Sequence, residues 1–264
     1  MPEGDTLFRT AAGLRPHLVG RAVIAARATR PGPQIERVVG STVDAVESHG
    51  KNLVIRFDNG LELRTHMRMT GSWHRYRPGE RWRRSPGRAR VVLEVPGAVA
   101  VCFDAPVVEL FEQRAEALHT GLAQLGPDLL DPDFGPDDEA EAVGRLRDPA
   151  RAGWSISAAL LDQRALAGIG NIWRNETLFA ERVDPLAQVA ALDDATLQRL
   201  VATARRLLRA SASLAPGRAQ VRVYGRARRP CPRCGTIIRS APLPAEVPRT
   251  TYWCPKCQST EARA

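Results

Sequence analysis

Two stretches of the 264-residue chain carry residue types that do chemistry at the spacing found. The first is Met-Pro-Glu at residues 1–3. Once Met1 is trimmed, Pro2 presents a secondary amine, and the carboxylate of Glu3 stands one residue away. A terminal amine has a pKa near ~7.7–8, so about a tenth of it is unprotonated at neutral pH, against a trace for an ordinary lysine. Such an amine attacks carbonyl-like carbons to form a Schiff base, and a neighbouring acid moves the protons that step needs. The plainer reading is a solvated terminus before a helix, and these three residues alone leave both open. The second stretch is Cys231-x2-Cys234, nineteen residues, then Cys254-x2-Cys257. Two thiolate pairs at this spacing suit one tetrahedral zinc ion of the ribbon type. Four thiolates fill the shell and leave no position for an activated water, so the metal is expected to hold a hairpin together. The fifth cysteine, Cys102, sits in an apolar run and reads as core packing.

A third stretch, Leu160–Ala180, reads "LLDQRALAGIGNIWRNETLFA". Gly168 and Gly170 permit a tight turn, after which Asn171 and a helix start can point amides at a phosphate. It is not a dinucleotide fingerprint, because the third glycine and the preceding strand are missing. No zinc-protease, phosphate-loop or serine-elbow motif occurs, and the five histidines have no metal spacing.

Charge points to the partner. The net charge is +9 and the pI about 10.1, which favours a polyanion such as nucleic acid. Ala195–Ala245 holds eleven arginines and no acid, and Arg81–Arg90 is a second purely basic run. Only Lys51 and Lys256 are lysines; in an arginine-rich chain a lysine marks a place for a compact ammonium. No apolar run is long enough to span a bilayer, and early charges at Glu3, Asp5 and Arg9 argue against a secretory leader. A cytoplasmic monomer is expected.

These groups need elements to position them. A helix follows Gly4, with Asp5 as its cap, Leu7, Ala11, Leu14 and Leu18 on one face, and Gly20 as its stop. Short strands follow at 21–28, 41–48, 51–57 and 61–69, the last two joined by a hairpin turn at Asp58-Asn59-Gly60. Another hairpin pairs 90–95 with 99–103, so an antiparallel sandwich is predicted. Gly126–Glu141, acidic and rich in proline and glycine, reads as a linker. Beyond it come helices, then β propensity in Ala219–Arg226 before the cysteines. The fold class is therefore α+β in two domains. The boundaries are an N-terminal sandwich at 1–122, an acidic linker at 123–140, a helical domain at 141–222 and a zinc-finger hairpin at 223–260.

Together "MPEGD", "SHGKNL", "LGPDLL", "LLDQ....GIGN", "VYGR" and "YWCPKCQ" resemble the formamidopyrimidine-DNA glycosylase and endonuclease VIII family, across Met1–Gln258. The resemblance implies a bifunctional DNA glycosylase and abasic-site lyase built with a helix-two-turn-helix domain and a zinc finger. Pro2 would attack C1′ of a damaged nucleoside, and Glu3 would carry protons. Lys51, Asn171 and Arg249 would hold phosphates of damaged double- or single-stranded DNA. Met69 would fill the gap left by the extruded nucleotide, and a buried core methionine is its alternative. Three departures stand out. Thr6 replaces a common glutamate, whose help would fall to Asp5. The arginine and phenylalanine wedge partners of the 8-oxoguanine branch are missing near Phe103–Phe111, and Arg228 replaces a usual glycine. The second departure favours the endonuclease VIII branch and oxidised pyrimidines. A catalytically silent DNA-binding or damage-sensing protein is the competing reading; Pro2, Glu3 and Lys51 favour the enzyme.

Overall fold

The computed structural model describes residues 2–29, 32–215, 217–243 and 249–259. The chain divides into two compact units, Met1–Ala123 and Gln124–Ala264.

The first unit opens with helix α1 (Gly4–Leu18), whose buried face is Leu7, Ala11, Leu14 and Leu18, as the spacing predicts. Its N-cap is Glu3, not the expected Asp5. The Glu3 carbonyl accepts the amides of Thr6 and Leu7, which starts the helix two residues early. Asp5 instead sits in the first turn and pairs with Arg9 at 3.2 Å. Strands β1 (Ala25–Ala28), β2 (Val43–His49), β3 (Asn52–Phe57), β4 (Leu61–His66), β5 (Ser72–Tyr76), β6 (Ala89–Val95), β7 (Ala98–Phe103) and β8 (Val107–Glu112) form two antiparallel sheets. Their orders are β1-β6-β7-β5 and β2-β3-β4-β8.

Strand alternation explains the layers. Leu53, Ile55 and Phe57 of β3 and Leu61 and Leu63 of β4 meet Leu93 and Val95 of β6, Ala98, Ala100 and Cys102 of β7, and the buried face of α1 in one core. Cys102 is fully buried there, and burial pushes its thiol pKa up, so it is packing. Tyr76, Trp82, Val101 and Phe103 form a smaller core on the other face of the first sheet. Trp82 lies inside the Arg81–Arg90 run, so that run is pinned to the sheet. Arg84 and Arg88 both pair with Asp104, at 2.7 and 2.8 Å, and part of the basic stretch is neutralised within the fold.

The second unit contains α2 (Pro136–Leu146), α3 (Ile156–Ala159), α4 (Asn171–Ala180), α5 (Asp194–Ala212) and the hairpin of β9 (Arg239–Leu243) and β10 (Arg249–Trp253). Helix α4 packs against both α5 and β10, and α2 packs on α5. The acidic stretch Gly126–Glu141 is folded, which corrects the linker reading. Asp128 bridges Ala167, Leu129 and Leu130 are buried, and α2 begins at Pro136. Two leucines in an acidic run must find apolar cover, and they draw the segment onto the helices.

Ala219–Arg226 is also corrected, since it forms no strand. The amides of Arg222, Val223 and Tyr224 converge on the buried carboxylate of Glu176 at 2.8–2.9 Å. Three successive donors on one anion replace a strand ladder.

Candidate active site and nucleic-acid interface

In the first unit the site residues lie at one end of α1 and of the second sheet. The Gly20 amide donates to the Val43 carbonyl at 2.8 Å, and the Arg15 guanidinium donates to the Val46 carbonyl at 2.9 and 3.1 Å. These two anchors run α1 antiparallel to β2. From Val46 the strand rises about 10 Å to His49 before the chain turns back at Gly50 and Lys51. The start of α1, with Pro2 and Glu3, therefore lies toward the same end of the sheet as the β2–β3 turn that carries Lys51. Glu3 is 1% exposed, while Pro2 is half-buried. Met1 lies outside the described residues.

Lys51 occupies the two-residue loop with Gly50 between β2 and β3, where His49 pairs with Asn52. Gly50 adopts φ +58°, a conformation that glycine takes without cost. The sequence offered no reason to single out His66, which stands opposite Asn52 at the end of β4. Burial, aided by the charges of Arg64, Lys51 and Arg68, holds its pKa down to about 4. Its ring is thus neutral at physiological pH and accepts the Arg68 amide at 3.1 Å on Nδ1.

The next turn separates the methionines. Met67 is 2% exposed and belongs to the core, whereas Met69 is 58% exposed. The buried alternative for Met69 therefore falls. The turn closes through the Gly71 amide on the Met67 carbonyl at 2.8 Å, and Thr70 donates to the Asp104 carbonyl at 3.1 Å. The segment near Phe103–Phe111, empty of wedge partners, folds as edge strand β8 against β4.

In the second unit, the turn before α4 is held by one side chain. Gln163 Nε2 donates to the carbonyls of Leu161 and Ile169 at 2.9 and 3.1 Å, and its Oε1 accepts the Gly168 amide at 3.2 Å. That bracing explains the glutamine in "LLDQ". Gly168 takes φ +97°, and Gly170 is the N-cap of α4. Asn171 begins the helix, and its Nδ2 donates to the Thr250 carbonyl at 3.1 Å. Asn175, one turn on, accepts the Tyr252 amide at 2.7 Å. Helix α4 thus grips β10, and Asn171 comes beside the strand that Arg249 opens.

The sulfur atoms of Cys231, Cys234, Cys254 and Cys257 all lie within 4.8 Å of one another. No disulfide joins them. A tetrahedron of thiolates at ~2.3 Å from a metal has edges of about 3.8 Å, close to the 4.0 and 3.5 Å of Cys231–Cys257 and Cys234–Cys254. The amides of Arg233 and Cys257 point at Cys231 and Cys254 sulfur, which suits charged thiolates. The cluster can hold a metal ion. Phe179 of α4, Val223 and Ile238 pack around it.

Residues 1–106 match the formamidopyrimidine-DNA glycosylase N-terminal domain, and residues 125–222 match the formamidopyrimidine-DNA glycosylase H2TH domain. A probable endonuclease 8 of Streptomyces coelicolor is 39% identical, over 99% of this chain and 95% of its own length. The chain belongs to the formamidopyrimidine-DNA glycosylase and endonuclease VIII family. The DNA-(apurinic or apyrimidinic site) lyase Nei2 of Mycolicibacterium smegmatis is 37% identical over 98% of this chain and 99% of its own. Endonuclease 8 of Escherichia coli K12 is 30% identical over 98% of this chain and 100% of its own. A formamidopyrimidine-DNA glycosylase of Lactococcus lactis, solved with DNA containing an abasic site, shares the fold with a TM-score of 0.83. Its identity is 22%, covering 98% of this chain and 100% of that one. The chain is thus an enzyme of a DNA glycosylase and abasic-site lyase family. Among the described residues, no helix is long and apolar enough to cross a membrane.

Four non-glycine residues, Arg68, Asp104, Arg182 and Arg228, adopt positive φ; Arg228, with φ +64°, lies furthest into that region. Its amide donates to the Ile238 carbonyl at 2.9 Å, and that bond keeps the turn.

Proposed function

We propose that this protein excises oxidised pyrimidines from DNA and cuts the strand at the abasic site that results. After Met1 removal, the Pro2 nitrogen attacks C1′; the N–C1′ bond forms as the glycosidic bond breaks, and the electron pair leaves with the base. Glu3 takes the proton that the nitrogen sheds and passes it to O4′ as the sugar ring opens, which leaves an iminium ion. The iminium acidifies C2′, and loss of its proton expels the 3′ phosphate. Loss of the C4′ proton then expels the 5′ phosphate.

Lys51, Asn171 and Arg249 hold phosphates, positioning the backbone without reading sequence, which suits an enzyme that works anywhere in a genome. Met69 fills the space left by the extruded nucleotide at a cost of a few kcal/mol in unstacking. One structural zinc ion sits on the four cysteines and takes no part in the chemistry.

The observation that supports this reading most is the burial of Glu3 at the N-cap of α1, directly after Pro2. Borohydride reduction with abasic-site duplex DNA tests it. A covalent adduct is expected from the wild type and none from Pro2→Gly. Tight binding without an adduct would instead favour the silent damage sensor. Duplex and single-stranded oligonucleotides carrying thymine glycol, dihydrouracil, 5-hydroxyuracil or 8-oxoguanine test the substrate class, with faster release of the pyrimidines expected.

A further inference from the structure

Helix α4 buries an arginine where a helix of a basic, DNA-binding unit would ordinarily expose one. Arg174 is 1% exposed and is the largest fully buried side chain among the described residues. Its guanidinium donates to Asn171 Oδ1 at 2.5 Å, Thr251 Oγ1 at 2.8 Å, and the carbonyls of Thr250 and Ser157 at 3.4 Å. It therefore reaches the start of its own helix, the segment before α4, and the strand that begins at Arg249.

An arginine has donors and no acceptor, so the Asn171 atom facing it must be the oxygen. Asn175 Nδ2 reinforces that choice from the other side, at 3.4 Å. The Asn171 amide nitrogen is consequently turned away, with one N–H on the Thr250 carbonyl and a second N–H left to meet an anion. Without Arg174 the Asn171 oxygen keeps only the Asn175 contact, and the Thr250 carbonyl alone ties the amide to β10.

We propose that Arg174 is the positioning residue of the phosphate site: it fixes the Asn171 amide with N–H outward and ties it to β10 beside Arg249. It touches neither phosphate nor sugar and acts through Asn171. This deepens the function proposed above and rests on it.

A double-mutant cycle tests it, with affinity measured on duplex DNA carrying a tetrahydrofuran abasic-site analogue. Arg174→Met should weaken binding about tenfold in the wild-type background, as expected for loss of a charge-assisted hydrogen bond. In an Asn171→Ala background the same change should cost less than about twofold. Equal losses in both backgrounds would mean a merely structural role and overturn the proposal, and so would wild-type affinity in Arg174→Met. Should Arg174→Met lose its zinc or unfold, Thr251→Val decides. It removes the hydroxyl that accepts from the guanidinium and meets Ser157 Oγ at 3.4 Å, and the same cycle should show a smaller loss that vanishes with Asn171→Ala. A wild type that does not prefer the analogue over undamaged duplex would sink the proposed function instead, and that result is distinct from an additive cycle.

Discussion

The carboxylate of Glu62 lies 3.1 Å from the Arg56 guanidinium with its side chain fully buried, and its second oxygen, Oε1, meets no donor among the described residues. Arg56 also pairs with Glu47 and Glu116, so one cation faces three carboxylates on the outer face of the β2-β3-β4-β8 sheet. Burial and the Glu116 charge push the Glu62 pKa up to about 7, against the pull of Arg56. Its ordinary value is 4.5, so the folded protein holds a proton here that the unfolded chain releases.

The sign follows. This contribution to stability is complete below pH 4.5 and is lost as pH rises through about 7. Glu62→Gln keeps the shape and removes the titration. The melting temperature of the wild type should therefore fall relative to Glu62→Gln between about pH 5 and pH 8. Glu47, held low by its bond to His49, and the nearby Glu116 remain in both proteins. Parallel melting curves across that range would contradict the assignment.

In the proposed mechanism Glu3 moves protons during base loss and is less needed once an abasic site already exists. Glu3→Gln should lower release of an oxidised base by about two orders of magnitude, the usual yield of a positioned acid–base group. Strand cutting at a preformed abasic site should drop far less. Equal losses in the two assays would remove its assigned role.

Local signals were legible, and distant ones were not. The Asp58-Asn59-Gly60 hairpin could be read because its turn chemistry lies in three adjacent residues: Gly60 takes φ +77° and its amide donates to the Phe57 carbonyl. The cysteine cluster was equally plain from spacing. Strand β8 was invisible, since its half-buried residues show no clear alternation and its partner β4 lies more than forty residues earlier. Arg174 reads in sequence as one more solvated arginine. Its partners Thr250 and Thr251 are 76 and 77 residues away, and only the packed fold brings them together. The α1 cap was misread because an aspartate at residue 5 is a good cap in isolation, while the chain already turns at Glu3.

Arg228 offers a test of strain against entropy. A side chain in the left-handed region costs roughly 1–2 kcal/mol, and glycine's extra freedom in the unfolded chain costs roughly 0.5–1 kcal/mol. Strain is the larger, and Arg228 at φ +64° carries it. Arg228→Gly should raise stability by about 0.5–1 kcal/mol in denaturant titration. A destabilised variant would mean that the arginine side chain makes up the difference through contacts of its own.

Metal removal should separate the two units. The cysteine cluster shares its apolar core with Phe179 of α4 and Val223, and β10 is held to α4 through Asn171, Arg174 and Asn175. Structural zinc contributes gross binding energy of roughly 10–16 kcal/mol in small modules, as much as burial of this whole six-residue cluster at about 1.5–3 kcal/mol a side chain. Chelation, or Cys234→Ser, should therefore loosen β9 and β10 and withdraw Arg249 and the Thr250 carbonyl from Asn171. The sandwich core draws its residues from the first unit alone, and it should survive. Hydrogen exchange should show protection lost in 219–243 and 249–259 and kept in β2–β4 and β7. Affinity for abasic-site DNA should fall together with zinc content, whereas uniform loss of protection across both units would show that the metal stabilises the whole chain rather than the hairpin.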